Sequence, residues 1–296
     1  MVQISKERFA LGSYQYLRYP FEYFLDTAVL LGMQNVELWA AGPSFCLDTM
    51  DEAQLKEKVA QIRSRELSVC CITPEQCQYP VNLAAEDEKI REYSIRNFER
   101  AFYAAEILNC PKVLVSAGCG YFNKPVEDAW KRSEESLHRL SEKAQKMGIL
   151  LVLETLTPLS SNVLNTPEQQ KEMISLMPSG SMKPMLDIGQ MVYMDQKIER
   201  YLAHGAELSH IHLHDSHPVV HMALGDGDLP ICEYLDILES AGYKGMYALE
   251  QNDPRYRSNP RQADIQSIRW LKSMEFLIEK VLTNDGKKSM LSVKEI

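Results

Sequence analysis

Apolar and β-branched residues return in short runs along the whole chain, at residues 8–13, 35–39, 67–73, 112–116, 149–154, 182–186, 208–213 and 246–250. Each run is short and nearly continuous, as in a strand buried on both faces. Between them, residues 21–31, 53–65, 89–107, 128–147, 167–177, 231–241 and 265–281 carry apolar positions three and four apart, the spacing of a helix with one buried face. Gly32, Gly148 and Gly242 stand between such a stretch and the next run, where a helix C-terminus favours a residue tolerant of positive φ.

The run centres recur about every 34 residues, the length of one βα unit. Eight units with no Gly-, Pro- or Ser-rich linker predict an α/β fold, a single (β/α)8 TIM barrel over residues 1–282, in preference to a doubly wound sheet. Residues 283–296 are polar and outside the repeat, and read as a tail that is mobile or contacts another copy in a homo-oligomer.

The 296 residues, 45% hydrophobic and 25% charged, sustain one sizeable core and exclude a disordered chain or a small disulfide scaffold. With 32 basic against 41 acidic residues the net charge is −9, which leaves no basic face for a phosphate backbone; no nucleic-acid partner is expected. No stretch approaches the ~20 apolar residues of a membrane span and residues 1–8 carry no apolar signal, so the expectation is a cytoplasmic protein with no membrane partner. The seven cysteines, odd in number and without metal-finger spacing, read as thiols of a reducing compartment.

In a barrel of this kind chemistry gathers at the C-terminal ends of the strands. Four consecutive runs end in groups able to do it: Glu154, then Asp187, then the series His210-Ile211-His212-Leu213-His214-Asp215, then Glu250. Each is one βα unit from the next, so the four meet at one rim. Three carboxylates held together would repel, and a divalent cation removes that conflict. Oxygen ligands with one imidazole and no thiolate suit Mn²⁺, Mg²⁺ or Co²⁺, with Mn²⁺ the first expectation. Five of the seven histidines lie between 210 and 221. His210, His212 and His214 project to one face of a strand, so periodicity leaves open which is the ligand. His221 sits in the following loop and is placed to return to the site. Trp39, Glu75, Tyr79, His221 and Arg255 are candidate substrate contacts at loop ends.

These same residues carry a resemblance. Leu153-Glu154, Leu186-Asp187, the His210–Asp215 series, the loop from His221 to Gly227 and Leu249-Glu250 resemble the sugar isomerase/epimerase barrels of the xylose-isomerase-like superfamily over residues 8–280. Within that group the likeness is greatest to the fructoselysine 3-epimerase and ketose 3-epimerase branch, through Glu37-Leu38-Trp39, Thr73-Pro74-Glu75, Tyr79-Pro80-Val81-Asn82, residues 153–163 and Pro260-Arg261-Gln262-Ala263. The resemblance implies a divalent metal on Glu154, Asp187, His212 and Glu250, with the two glutamates doubling as an acid/base pair. It implies an isomerase that epimerises a keto sugar or sugar conjugate through a cis-enediolate. Dehydration or lysis by β-elimination is the alternative, ahead of aldose–ketose isomerisation and abasic-site cleavage. Two positions depart from the family pattern. Gln190 stands where many members have a substrate-touching histidine, and Ser160 where an acid is common. Both bear on the identity of the sugar, and Gln190 is kept as a substrate contact. Gln190 and Val219 are unsuited as ligands for the three-zinc centre of the nucleases.

Overall fold

A computed structural model describes residues 2–76, 80–202, 208–217, 220–282 and 288–291. Eight parallel strands close into a barrel: β1 (Phe9–Gly12), β2 (Asn35–Trp39), β3 (Ser68–Thr73), β4 (Lys112–Val115), β5 (Leu150–Leu153), β6 (Met182–Asp187), β7 (His210–Leu213) and β8 (Met246–Leu249). Neighbours in sequence are neighbours in the wall, and β1 pairs with β8 through Phe9 with Tyr247 and Leu11 with Leu249. Each run expected as a strand is one, to within two residues at its ends.

The helices α1 (Phe21–Leu30), α2 (Glu52–Arg63), α3 (Glu88–Leu108), α4 (Val126–Lys146), α5 (Pro167–Ser175), α6 (Ile188–Tyr193), α7 (Ile198–Leu202), α8 (Ile231–Ser240) and α9 (Pro260–Ser273) connect the strands and follow the last. Gly32, Gly148 and Gly242 have φ of 63°, 71° and 83°, the left-handed closure expected of them. Two readings are corrected. The short helices α6 and α7 lie in a stretch read without a helix. The helical stretch expected over 265–281 is α9 to Ser273, followed by a strand, Leu277–Leu282, that pairs in parallel with Ile4–Ser5. Lys288–Leu291 adds an antiparallel strand to Leu277–Leu282; residues 283–287 and 292–296 lie outside the described residues. Among the described residues no helix is long and apolar enough to cross a membrane.

The period of two along the strands divides the core. Phe9, Leu11, Val113, Val115, Leu151, Leu153, Leu186, Tyr247 and Leu249 join the large cluster that also holds the apolar faces of the helices. Ala10, Cys70, Cys71, Leu114, Val152, Met185 and Ala248 form a separate buried cluster inside the barrel. Two residues beyond Val152, Met185 and Ala248, on the same inward phase, stand Glu154, Asp187 and Glu250. The barrel interior thus changes from apolar to ionisable one layer below its C-terminal rim.

Candidate metal centre

Glu154, Asp187, His212 and Glu250 come together with one ligand-type atom from each lying within 4.8 Å of all the others. His212 Nδ1 is 2.7 Å from Glu250 Oε2, 3.7 Å from Glu154 Oε1 and 3.8 Å from Asp187 Oδ2. Asp187 and His212 are fully buried, Glu154 nearly so, and the Glu250 side chain keeps 14% of its exposure. Asp187 Oδ2, His212 Nδ1 and Glu250 Oε2 are buried without a hydrogen-bond partner. Orphaned polar atoms of this kind are costly. Three of them converging, two acceptors with an imidazole nitrogen, fit a divalent cation, which would satisfy all of them at once.

The electrostatics point the same way. Burial, reinforced by Glu250 and Asp187 and opposed by His212, pushes the Glu154 carboxyl up to about 7. Burial opposes the charge on Asp187 as well, but His214 and His212 outweigh it and hold that carboxyl well below the usual range. Asp187 serves two neighbours with one oxygen: Oδ1 accepts from Gln190 N at 2.7 Å, capping α6, and lies 3.2 Å from His214 Nε2. The other oxygen is left for the cluster. His214 reaches this position because residue 189 is glycine; a Cβ there would stand 2.1 Å from His214 Cε1.

Gln190 is brought into the site, where its Nε2 donates to Glu154 Oε1 at 3.0 Å while its Oε1 accepts from Thr157 N. His221 returns as expected, its Nδ1 3.8 Å from Glu250 Oε2 and its ring 4.4 Å from that of His214. Its backbone is left-handed, with φ of 60°. The turn that carries it is fixed by Asp215, which accepts from Ser216, Gly225 and Leu229 amides and pairs with Met222 across the loop. Trp39 stacks on Tyr14, which meets the His212 ring edge-on. Glu75 accepts from its neighbour Gln76 and Arg255 pairs with Asp253, so neither is drawn into the cluster. Tyr79 lies outside the described residues.

Behind Glu250, Gln251 donates to Ser267 on α9, and Gln15 and Tyr16 donate to the buried Asp264. Burial, opposed by the Tyr16 and Gln15 hydrogen bonds, pushes the Asp264 carboxyl up to about 7. The folded chain therefore keeps a proton that the unfolded chain releases near pH 4, and stability falls as pH rises between the two values, levelling off above 7. Asp264→Asn, which stays neutral, is expected to lose this slope, on the order of 2 kcal/mol between pH 5 and pH 7. Urea midpoints of the two proteins across that range check it; parallel curves would show that Asp264 is ionised throughout.

Sequence reasoning gave no role to Glu37, Tyr14 or Thr73, which form one buried network with His212 and with His210, a ring that periodicity left open as a candidate ligand. The legible signal was an acid at the centre of an apolar strand, Val36-Glu37-Leu38.

The sequence profile of the xylose isomerase-like TIM barrel matches residues 25–274. Fructoselysine 3-epimerase of Escherichia coli O157:H7 is 28% identical over 246 residues, covering 80% of this chain and 90% of that protein. The crystal structure of D-psicose 3-epimerase with D-tagatose from Clostridium cellulolyticum H10 superposes with a TM-score of 0.74 at 18% identity, over 89% of this chain and 97% of the other. That of 3-keto-D-glucoside 4-epimerase from E. coli gives 0.76 at 18% identity, over 90% and 99%. At such identity the two structures speak for the fold. The named relatives are epimerases, enzymes of the isomerase class, in keeping with the resemblance carried by the strand ends. A profile match over most of the chain, on a closed eight-stranded barrel, settles its kinship: the chain belongs to the xylose isomerase-like TIM barrel family.

Proposed function

We propose that the protein is a divalent-metal-dependent ketose 3-epimerase, acting on a keto sugar or sugar conjugate in the cytoplasm. The observation that carries this reading is the meeting of two glutamates, from β5 and β8, in one buried group with Asp187 and His212. Glu154, Asp187, His212 Nδ1 and Glu250 would hold the cation, with Mn²⁺ first among Mn²⁺, Mg²⁺ and Co²⁺. When bound, it supplies Lewis-acid polarisation of a carbonyl and its neighbouring hydroxyl.

The protein's own groups do the rest. One glutamate takes the proton from C3 of the ketose, leaving an enediolate, and the other returns a proton to the opposite face, inverting that carbon. Glu154 and Glu250 belong to strands separated by β6 and β7, which supports a two-sided arrangement. Gln190 steadies Glu154, and the left-handed turn at His221 brings an imidazole to the Glu250 side, where it would meet substrate oxygens. On the same rim the loops after β3, β4 and β5 enclose a cavity of about 310 Å³, lined by Asn82, Cys119, Tyr121, Phe122, Leu159 and Ser160 among others. None of the four cluster residues lines it, and it would house the substituent of a conjugated sugar.

Incubation of the Mn²⁺-loaded protein in D₂O with fructoselysine, D-psicose and D-tagatose tests the reading. Deuterium at C3 together with equilibration of two epimers is the expected result. A dehydrated product would reassign the protein to elimination, and no exchange from any ketose, with or without Mn²⁺, would end the enediolate reading.

A further inference from the structure

We propose that Glu37 is a positioning residue, which fixes the proton of His212 on Nε2 and thereby turns an Nδ1 lone pair toward the cation. This rests on the metal reading of the four-residue cluster. Glu37 lies on β2, fully buried, paired in register with Gly12 on one side and Cys71 on the other. Its carboxylate faces four donor groups. Oε1 accepts from Tyr14 Oη at 2.7 Å and from Thr73 Oγ1 at 2.6 Å, and stands 2.9 Å from His212 Nε2; Oε2 stands 2.6 Å from His210 Nε2.

An imidazole can carry its single proton on either nitrogen, and the partner of one nitrogen decides the state of the other. A carboxylate already accepting from two hydroxyls has nothing to donate, so each histidine must face it with an N–H. For His212 that places the proton on Nε2. Its Nδ1 is the atom 2.7 Å from Glu250 Oε2, among the four groups of the cluster, and is without a hydrogen-bond partner. A cation requires that lone pair, and hydrogen-bond partners behind metal-bound histidines are known to set both ring orientation and ligand strength.

A purely structural role explains the glutamate poorly. A buried carboxylate among histidines is seldom more stable than an apolar group of its volume, and the positions on either side of it are Val36 and Leu38. Its partners come from three separate places, the turn after β1, β3 and β7, and meet it on β2. Tyr14 and Thr73 orient the carboxylate, and the carboxylate orients the ring.

Mn²⁺ titration of the chelator-treated full chain, by calorimetry and by the free-ion paramagnetic resonance signal, gives the affinity. The ¹⁵N shifts of labelled histidine in the same metal-free samples, followed up in pH until the His212 ring is neutral, give its tautomer. Glu37→Gln is expected to weaken Mn²⁺ binding by about 10- to 100-fold and to lift the Nε2–H preference of His212, with Glu37→Asp recovering part of both. Tyr14→Phe and Thr73→Val are expected to weaken binding several-fold, and they carry the test if Glu37→Gln does not fold. A folded variant that melts earlier, yet binds Mn²⁺ within two-fold of wild type with the tautomer unchanged, overturns the assignment. Wild type that fails to bind Mn²⁺ at all overturns the metal reading beneath it, a separate outcome.

Discussion

Glu154→Gln and Glu250→Gln are each expected to lower epimerisation by about 10³-fold or more, because general acid–base transfer alone is worth about 10²–10⁴ and each glutamate is also one of four groups converging on the cation position. Their exchange chemistry should differ. If each carboxylate serves one face of the sugar, the glutamate left in a variant can still take a proton from the epimer that presents C3 to it. Each variant should then wash deuterium into one epimer and leave the other untouched, with the preferred epimer reversed between the two. A structural effect of the substitution would depress both exchanges alike. In the Glu154→Gln variant the new amide would remain next to Gln190, whose Nε2 now donates to Glu154 Oε1. That amide can turn its own oxygen to the donor, but its NH₂ then points toward three groups that need a cation or a proton. Mass spectrometry of the recovered sugars after a single incubation in D₂O reads both quantities. Full epimerase activity in either variant would remove that glutamate from the acid/base pair.

The barrel was legible because its two periods differ. Strands buried on both faces read as continuous apolar runs, helices as stripes, and eight alternations leave little choice of topology. The four ligand-type residues were legible for the same reason: inward phase is kept along a strand, so an acid two residues beyond Val152, Met185 or Ala248 has to face the interior. Periodicity stops where partners are distant in sequence. It could place His210, His212 and His214 on one face and could not choose among them. What tells them apart is distant in sequence: Glu37, 175 residues from His212, stands against Nε2 of His210 and His212, and Asp187 stands against His214. Likewise α6 has six residues and α7 five, too few for a helical stripe to register, and the apolar spacing of α9 runs on past Ser273 into a strand held by Ile4–Ser5. Arg255 shows the limit from the other side. A cation five residues after Glu250 suggests an anion-binding role, and the pairing of its half-exposed side chain with Asp253, two residues away, is a contact that the spacing does not show.

Asp187→Asn is expected to weaken Mn²⁺ binding at least about 100-fold while the barrel stays folded, since loss of the charge removes a ligand and the cap survives. On the metal reading Asp187 would do both jobs with separate oxygens. Oδ1 holds Gln190 N and faces His214, and an asparagine oxygen can take that place, Asn and Asp being equal as N-caps. Oδ2 is the orphan aimed at the cluster, and in the variant it becomes an NH₂. Absolute melting points mix the two effects, because His214 and His212 favour the charged carboxylate even without a cation. The shift on adding Mn²⁺ separates them. A ligand at 100 times its dissociation constant stabilises the fold by about 2.7 kcal/mol. The same concentration acting on a site 100-fold weaker contributes only about 0.4 kcal/mol by that relation. Wild type should therefore gain several degrees on addition of Mn²⁺ and Asp187→Asn about one or less, with chelator abolishing the gain and the turnover of the wild type together. An undiminished shift in the variant would mean that the cation sits elsewhere, and would take with it the role of Asp187 as a ligand.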